Sequence, residues 1–534
     1  MHGIPQKRDG TRYKLKSLAN MIAQIVEKND QAVYRFLEIL TTSVRWAVLL
    51  SPIWLGLLAP KVTVFLLTFF AVFWVYLAIR HSMGMIIGYL RYKKEMKVDW
   101  YEECQKLDFK TLPDKETLPP SLKITKHFIL IPAYSEPYEI FKETLDALFK
   151  QTFPTEQVTL VFTIEEKYSE RVKENIIKAI GDRLNKLERL MIYVHPAGIP
   201  GEAIGVAGAN RTWGAKHAIE DLIKANVDLR NYIFTTMDSD HVLHPQFLAR
   251  LTHLYLTNDK RDNKFYSSAV SLFDNNYWRV PTLMRIEATS ILMGGLSDWV
   301  VSHKGLKDTF SNYSTSLQTL IDANYWDVKV GIDDTVFFWR AFSARNGDFI
   351  GVCHYIPYSA DAVEGKSYWG SYKSLYKQLV RWGWGTVSVP ISLREFLKNK
   401  RIPFRHKLLW TLEHIKKYTF LVNVVFLITF GFSIVSIVNP YIKQTSYAYS
   451  LPKIMSVILT IPLIFFIPAT ILKLKIVRPM PENWPLWKKT FSLLEGPMVL
   501  VNLLTFSFFP FLEAQTRMLF GKKMKDLYHT PKVR

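Results

Sequence analysis

Apolar positions along this chain fall into two kinds of pattern. Four runs are nearly uninterrupted: residues 43–59, 62–79, 418–438 and 454–472. Each approaches the roughly 20 apolar residues that a helix needs to cross a bilayer core. Only Pro60 and Lys61 separate the first two, which predicts a tight helical hairpin. Arg45 opens the first run, where a long side chain can snorkel to the surface. A fifth run, 491–512, is interrupted by Glu495, Gly496, Pro497 and Pro510, which predicts an interfacial or re-entrant helix. Between 393 and 417, apolar residues such as Phe396, Leu397, Ile402 and Phe404 interleave with lysines and arginines. That is the pattern of amphipathic helices lying in a membrane surface.

Residues 124–385 alternate in a different way. Strand-like runs at 127–134, 158–166, 190–194 and 232–237 are each followed by a polar or glycine-rich turn. Helix-like stretches occupy 139–151, 169–187, 207–225, 336–345 and 371–383. Strands alternating with helices predict an α/β, Rossmann-like domain on a parallel sheet, with ligands at the carboxyl ends of the strands. The glycine-rich stretch 198–208 does not fit GxGxxG with a following acid, which disfavours a dinucleotide site.

Charge decides which way the domain faces. The chain has 68 Lys and Arg against 47 Asp and Glu, a net charge of +21. The positives crowd one side of every apolar run. Arg80, Arg91, Lys93 and Lys94 follow the second, and Arg394, Lys398, Lys400 and Arg401 precede the third. The opposite loops carry only Lys61, Lys443 and Lys453. This positive-inside pattern predicts a multi-pass integral membrane protein whose residues 98–417 face the cytosol, in a plasma (inner) membrane. No aromatic–basic binding signature accompanies the charge, so no nucleic acid partner is expected. The first 40 residues are polar and basic and show no cleavable signal peptide. Two cysteines, Cys104 and Cys353, exclude a disulfide framework and read as reduced thiols.

Three constellations carry candidate chemistry. In Thr235-Thr236-Met237-Asp238-Ser239-Asp240-His241, two carboxylates two residues apart end a strand, which suits a hard divalent cation beside a phosphate. The competing reading makes Asp240 a cap for the helix beginning near His244-Pro245. In Gly331-Ile332-Asp333-Asp334-Thr335, one acid crowded by another has a raised pKa, useful in a general base. An N-cap pair is the alternative there. In Gln378-Leu379-Val380-Arg381-Trp382, positions 378, 381 and 382 share one helix face. A guanidinium and an indole on one stripe suit a phosphate and a sugar ring, although a half-exposed amphipathic helix would look the same.

Taken together, in this order and beside apolar runs, these motifs resemble the membrane-integrated family-two glycosyltransferases, the group containing cellulose, chitin and hyaluronan synthases. Ile131-Pro132-Ala133-Tyr134-Ser135-Glu136 is similar to the family's first-strand signature, Asp238 and Asp240 to its DxD, Asp333-Asp334 to its acidic base motif, and Gln378–Trp382 to QxxRW. The resemblance implies a GT-A catalytic domain inserted between transmembrane helices. It implies inverting transfer from a UDP-sugar with Mg²⁺ or Mn²⁺, the cation on Asp240 and Asp238. Asp334, crowded by Asp333, would be the base. Ala133, Tyr134, Glu136, Gln378 and Arg381 would hold the nucleotide-sugar, and Trp382, Tyr325 and Trp326 the acceptor. Glu165 or Glu166 stands where an Asp usually reads the uracil, and Gly205-Val206 replaces a Gly-Lys before the helix, leaving Arg211 or Lys216 to replace that lysine. The tail Leu527-Tyr528-His529-Thr530-Pro531-Lys532 matches a gating segment at Thr530 and Lys532, which adds Lys532 to the nucleotide-sugar contacts.

The implied organisation is a basic cytosolic segment (1–42), a transmembrane hairpin and connector (43–97), and a cytosolic transferase domain (98–385). Amphipathic interfacial helices (386–417), two transmembrane helices (418–472), and an interfacial or re-entrant helix with a gating-like tail (473–534) complete it. The expected activity is processive extension of a polysaccharide coupled to its passage across the membrane. The alternative is transfer of one sugar to a lipid such as a polyprenyl phosphate, ceramide or diacylglycerol. Accessory export proteins or a homo-oligomer are compatible with either.

Overall fold

The strand-like run at 127–134 becomes an interior strand of a sheet. The protein is described here from a computed structural model over residues 20–203, 207–446 and 466–522, scattered positions between 450 and 461, and Lys532. The basic segment 1–19, Gly205-Val206, tail residues 527–531 and part of the 454–472 run lie outside the described residues.

Strands β1 (Lys126–Ala133), β2 (Val158–Glu165), β3 (Arg189–His195) and β4 (Tyr232–Thr236) stand where the alternation predicts them. Two short strands, β5 (Val242–Leu243) and β7 (Ser271–Leu272), pair with β10 (Tyr358–Ser359) in a second, three-stranded sheet. β6 (Lys264–Ser268), β8 (Tyr313–Ser316) and β9 (Ile350–His354) extend the first sheet to seven strands in the order β3-β2-β1-β4-β8-β6-β9. β1 pairs in parallel with β2 and β4, and β2 with β3. β8 runs antiparallel to both β4 and β6, so the sheet is mixed, where the sequence pattern predicts a parallel one. β1 alternates its side chains cleanly. Ile129 and Ile131 enter one core with Phe162 and Leu251, while Phe128 and Leu130 enter another with Phe234 and Phe337. Each fully buried side chain of this size contributes roughly 1.5–3 kcal/mol.

Helices α1 (Asp30–Leu49) and α2 (Ser51–Leu58) are bent by 66° at Leu50, and α3 (Pro60–Glu95) starts two residues after α2 ends. Arg45 does not snorkel. It is fully buried, donates from Nη1 to the Phe511 carbonyl at 2.7 Å, and lies against Asn423. Helices α4 (Tyr138–Leu148), α5 (Ser169–Ile180) and α6 (Ala207–Lys224) flank the sheet. α5 stops seven residues before the predicted end because Gly181, at φ +55°, leaves helical geometry. Further on come α7 (Phe247–Thr257), α8 (Thr282–Val301), α9 (Asp333–Ala344), α10 (Tyr368–Gly383) and α11 (Ser388–Lys398). α12 (Phe404–Ile415) passes through a π-turn into α13 (Leu421–Val438), making one helix of 35 residues. The end of the amphipathic stretch and the third apolar run are therefore continuous. α14 (Phe466–Ile476), α15 (Met498–Leu504) and α16 (Phe509–Leu519) follow.

The sequence pattern gave no sign that α8 lies along α3. A Cβ added at Gly88 would fall 2.3 Å from the Leu296 carbonyl oxygen, and one at Gly84 2.5 Å from Ser297 Oγ. Only glycine permits that approach. Among the described residues, three helices are long and apolar enough to cross a membrane: Pro60–Glu95, Phe404–Val438 and Met498–Leu519. A fourth is added if α1 and α2 act as one span.

Candidate active site

Because β1, β2 and β4 are parallel, their carboxyl ends open on one edge of the sheet, where open α/β sheets bind ligands. A cavity of about 230 Å³ lies there. Ala133, Tyr134, Glu136 and Glu165 line it from the ends of β1 and β2, and Asp238 and Asp240 from the turn after β4. Asp333 and Asp334 enter from the first turn of α9, and Gln378, Arg381 and Trp382 from one face of α10. Lys532 enters from the tail.

Asp240 does not cap a helix. α7 begins at Phe247, after Gln246. The Asp240 carboxylate is 2% exposed. Its Oδ2 accepts from the Asp361 backbone N–H at 2.9 Å and meets Lys532 Nζ at 2.6 Å, while Oδ1 has no partner among the described residues. Burial works to raise this carboxyl, but Lys532 and the Asp361 N–H outweigh it and hold it below the usual carboxylate range. One ligand atom from each of Asp238, Asp240 and His241 lies within 4.8 Å of the others. Burial keeps His241 neutral by lowering its pKa, so its imidazole is free of competing charge. An orphaned buried carboxylate oxygen beside a second carboxylate and a neutral imidazole fits a divalent cation such as Mg²⁺ or Mn²⁺.

The second acid pair is held by an arginine. A Cβ added at Gly208 would come 2.7 Å from Asp333 Cβ and 2.8 Å from the Asp327 carbonyl, so this glycine lets α6 start directly against α9. One turn later Arg211, 2% exposed, bridges three carboxylates. Its Nη1 donates to Asp333 Oδ2 and Asp334 Oδ1, both at 2.6 Å, and its Nη2 to Asp238 Oδ1 at 2.8 Å. Asp334 is raised to about 7, first by burial, against the pull of Arg211 and with the push of Asp333. The two aspartates sit inside the first helical turn and the cap position is Ile332, so neither is an N-cap.

On α10, Arg381 makes no ion pair among the described residues, although burial and three facing acids surround its guanidinium. Gln378 Oε1 is buried without a partner among the described residues. Trp382 stands edge-on to Phe310, ring centroids 6.1 Å apart. These three groups present a cation, an amide and an aromatic face to the same space.

Glu165 lines the cavity and accepts from His195 Nδ1 at 3.2 Å, while Glu166 turns outward and accepts from the Ala197 backbone N–H at 2.8 Å. Tyr325 and Trp326 do not reach the cavity, which corrects the acceptor contacts expected of them. Asn324 and Tyr325 both have positive φ (54° and 57°), and this turn drives Trp326 into the core. There Trp326 is 1% exposed and donates from Nε1 to the Tyr313 hydroxyl at 2.7 Å. The sequence reading gave no role to His241 or Asp361, and none to Arg211 as a bridge between acids. His241 is adjacent to a motif and was findable. Asp361 follows a two-residue strand with no pattern to announce it. Burial and the Asp240 charge raise its carboxyl to about 7.

Comparison with solved structures returns nucleotide-sugar transferases at low identity. The mannosyltransferase PcManGT from Pyrobaculum calidifontis, in complex with GDP-Man and Mn²⁺, is 13% identical with a TM-score of 0.40, covering 76% of this chain and 99% of its own. S. aureus TarS 1–349, in complex with UDP-GlcNAc, is 12% identical with a TM-score of 0.32, covering 74% and 92%. No curated protein matches the chain. Residues 233–473, from β4 to α14, match the family model described as glycosyl transferase family group 2.

Proposed function

We propose that the protein is an inverting, metal-dependent hexosyltransferase that uses a UDP-sugar. The observation that carries this reading is the convergence of Asp238 and Asp240, Asp333 and Asp334, and Gln378, Arg381 and Trp382 on one cavity. Asp334, raised to about 7 by burial, takes the proton of an acceptor hydroxyl, since a base works best with a pKa near the operating pH. Arg211 holds that carboxylate in place. Arg381 and Gln378 bind the diphosphate oxygens. Glu165, with Ala133, Tyr134 and Glu136, holds the nucleoside end, and Trp382 is the acceptor platform. When bound, a divalent cation on Asp240 and Asp238 neutralises charge on the departing diphosphate. Lys532 supplies a further cation beside Asp240. One base acting on one side of the sugar gives inversion.

The acceptor in this reading is the end of a growing polysaccharide, extended processively by residues 98–385 at the cytosolic face of a plasma (inner) membrane. Transfer of a single sugar to a membrane lipid is the second reading. It is favoured by an apolar cavity of about 490 Å³ between the long helices.

The test is UDP release from purified full-length protein across a panel of UDP-sugars with Mg²⁺ or Mn²⁺. Release with one donor, abolished by chelation, supports the proposal, and product mass separates polymer from single-sugar lipid. Asp240→Ala should remove metal-dependent UDP binding. No release with any donor, or UDP binding that ignores both metal and Asp240, overturns it.

A further inference from the structure

A second cluster of ionisable groups lies beside the donor cavity, at the ends of β2 and β3. The two strands pair in parallel, with Glu165 and His195 as opposite residues at the carboxyl edge. His195 is 6% exposed. Its Nδ1 lies 3.2 Å from Glu165 Oε2, and its Nε2 lies 2.8 Å from Glu202 Oε2. Glu202 belongs to the glycine-rich stretch that does not fit a dinucleotide fingerprint. Gly198 and Gly201, at φ +80° and +90°, turn the chain back there, and the Ala203 N–H donates to the Val328 carbonyl at 2.9 Å. That turn sets Glu202 against the second nitrogen of the imidazole.

The ring therefore stands between two carboxylates. An ionised carboxylate only accepts hydrogen bonds, so the imidazole satisfies both neighbours by carrying two protons and donating from each nitrogen. Burial works to lower its pKa, but Glu165 and Glu202 outweigh it and raise it. Trp213 is its aromatic neighbour from α6, with ring centroids 5.8 Å apart. Of the three ionisable groups, Glu165 lines the donor cavity, whereas His195 and Glu202 do not. Tyr134 lines the same end, held T-shaped against Tyr168 with ring centroids 5.0 Å apart. An aromatic wall with a carboxylate at its edge makes a slot for a flat ring that offers an N–H.

We infer that His195 is a positioning residue for nucleobase recognition: anchored by Glu202, it holds Oε2 of Glu165 and so leaves Oε1 to accept from a ring N–H of the donor's base. The inference rests on the donor-site reading and adds what selects the nucleotide. Two bases present such an N–H beside a carbonyl, uracil at N3 and guanine at N1. Adenine and cytosine carry a lone pair at the matching atom, which would face the lone pairs of the carboxylate. A carboxylate fixed in this way attracts the first two bases and repels the other two, and both effects contribute to specificity. A carboxylate free to swing does neither.

Nucleotide selectivity is the test, because a merely structural role for His195 would weaken every nucleotide alike. Full-length protein in detergent is titrated with UDP, GDP, CDP and ADP in the presence of Mn²⁺. The wild type should bind UDP, GDP or both more tightly than CDP and ADP, and the tighter of the first two identifies the base. His195→Leu has no donor, and should weaken the preferred nucleotide at least about tenfold, a change corresponding to 1.4 kcal/mol, while CDP and ADP stay as they were. His195→Asn, whose amide N–H replaces the Nδ1 donor, should restore most of the preference. Mn²⁺ binding without nucleotide should not change in either variant. If His195→Leu does not fold, Glu202→Leu, next to the exposed Gly201, removes the ring's second anchor and should erode the preference in the same sense. A wild type that binds all four alike overturns the inference and leaves the donor site standing. So does a folded His195→Leu or Glu202→Leu that keeps its preference, or a loss shared equally by all four nucleotides. Wild-type protein that binds none of the four sinks the donor-site reading and this inference with it.

Discussion

Arg211 sets the acidity of the proposed base, and removing its charge should show in a pH profile. Its Nη1 lies 2.6 Å from Asp334 Oδ1, with Asp333 and Asp238 on the same guanidinium. Two unit charges about 4 Å apart attract by roughly 4 kcal/mol at an effective dielectric of 20. At 1.36 kcal/mol per pKa unit that is about three units. Arg211→Met should therefore move Asp334 from about 7 towards roughly 10. At pH 7.5 the ionised fraction would fall from about three quarters to under about one per cent, so turnover should drop about 10²-fold. The distinguishing sign is recovery: the variant should regain most of its rate between pH 9 and 10. The assay is UDP release at saturating donor from pH 6 to pH 10. Stranding the buried Asp333 carboxylate beside two half-buried acids also costs about 3–5 kcal/mol of stability. Arg211→Lys, which keeps the charge but not the fork, is therefore measured alongside and should hold the acid limb near its wild-type position. A folded Met variant whose acid limb does not move, or whose loss is uniform with pH, refutes the reasoning.

In the wild type, turnover should rise through about pH 7 as Asp334 loses its proton. The stability contribution has the opposite sign: the folded value lies above the ordinary 3.8, so it is present at low pH and lost as pH rises through about 7. Asp334→Asn should lower kcat by about 10²–10⁴-fold and leave UDP affinity intact; near-normal turnover would remove Asp334 from the role. Lys532→Ala frees Asp240 Oδ2, so calorimetry without nucleotide should show tighter Mn²⁺ binding, while UDP affinity falls. Weaker Mn²⁺ binding would make the lysine a helper of the cation instead of its competitor. Trp326→Ala should cost about 3–5 kcal/mol and lower Tm. The KM for acceptor per folded molecule should stay unchanged, and a raised KM would return Trp326 to the acceptor site.

What the sequence disclosed, and what it hid, have physical causes. Asp238, Asp240, Asp333, Asp334, Gln378, Arg381 and Trp382, which line one cavity, were legible because each falls in a short run whose residue types and spacing stand out from the surrounding sequence. β1, β2 and β4 were legible because a strand buried on both faces is largely apolar. β6 and β8, with the sequences KFYSS and YSTS, hide among ordinary polar stretches, and with them went the antiparallel half of the sheet. α8 carries apolar residues on most of its circumference and no period that points to α3. Trp326 was misplaced because an aromatic beside an acidic motif reads as exposed until the left-handed turn at Asn324 and Tyr325 is known. Arg211 as a bridge was out of reach, since its partners lie 27 to 123 positions away.

The seam at Gly84 and Gly88 bears on how the molecule can be divided. Cutting the chain near residue 97 would strip α3 from α8 and bare to water a flank that includes Met284, Leu292, Met293 and Leu296. The excised α/β half would then carry a sticky stripe matched to a partner it no longer has. Its fate in solution would be precipitation, so the sheet domain and its long helix are one indivisible object.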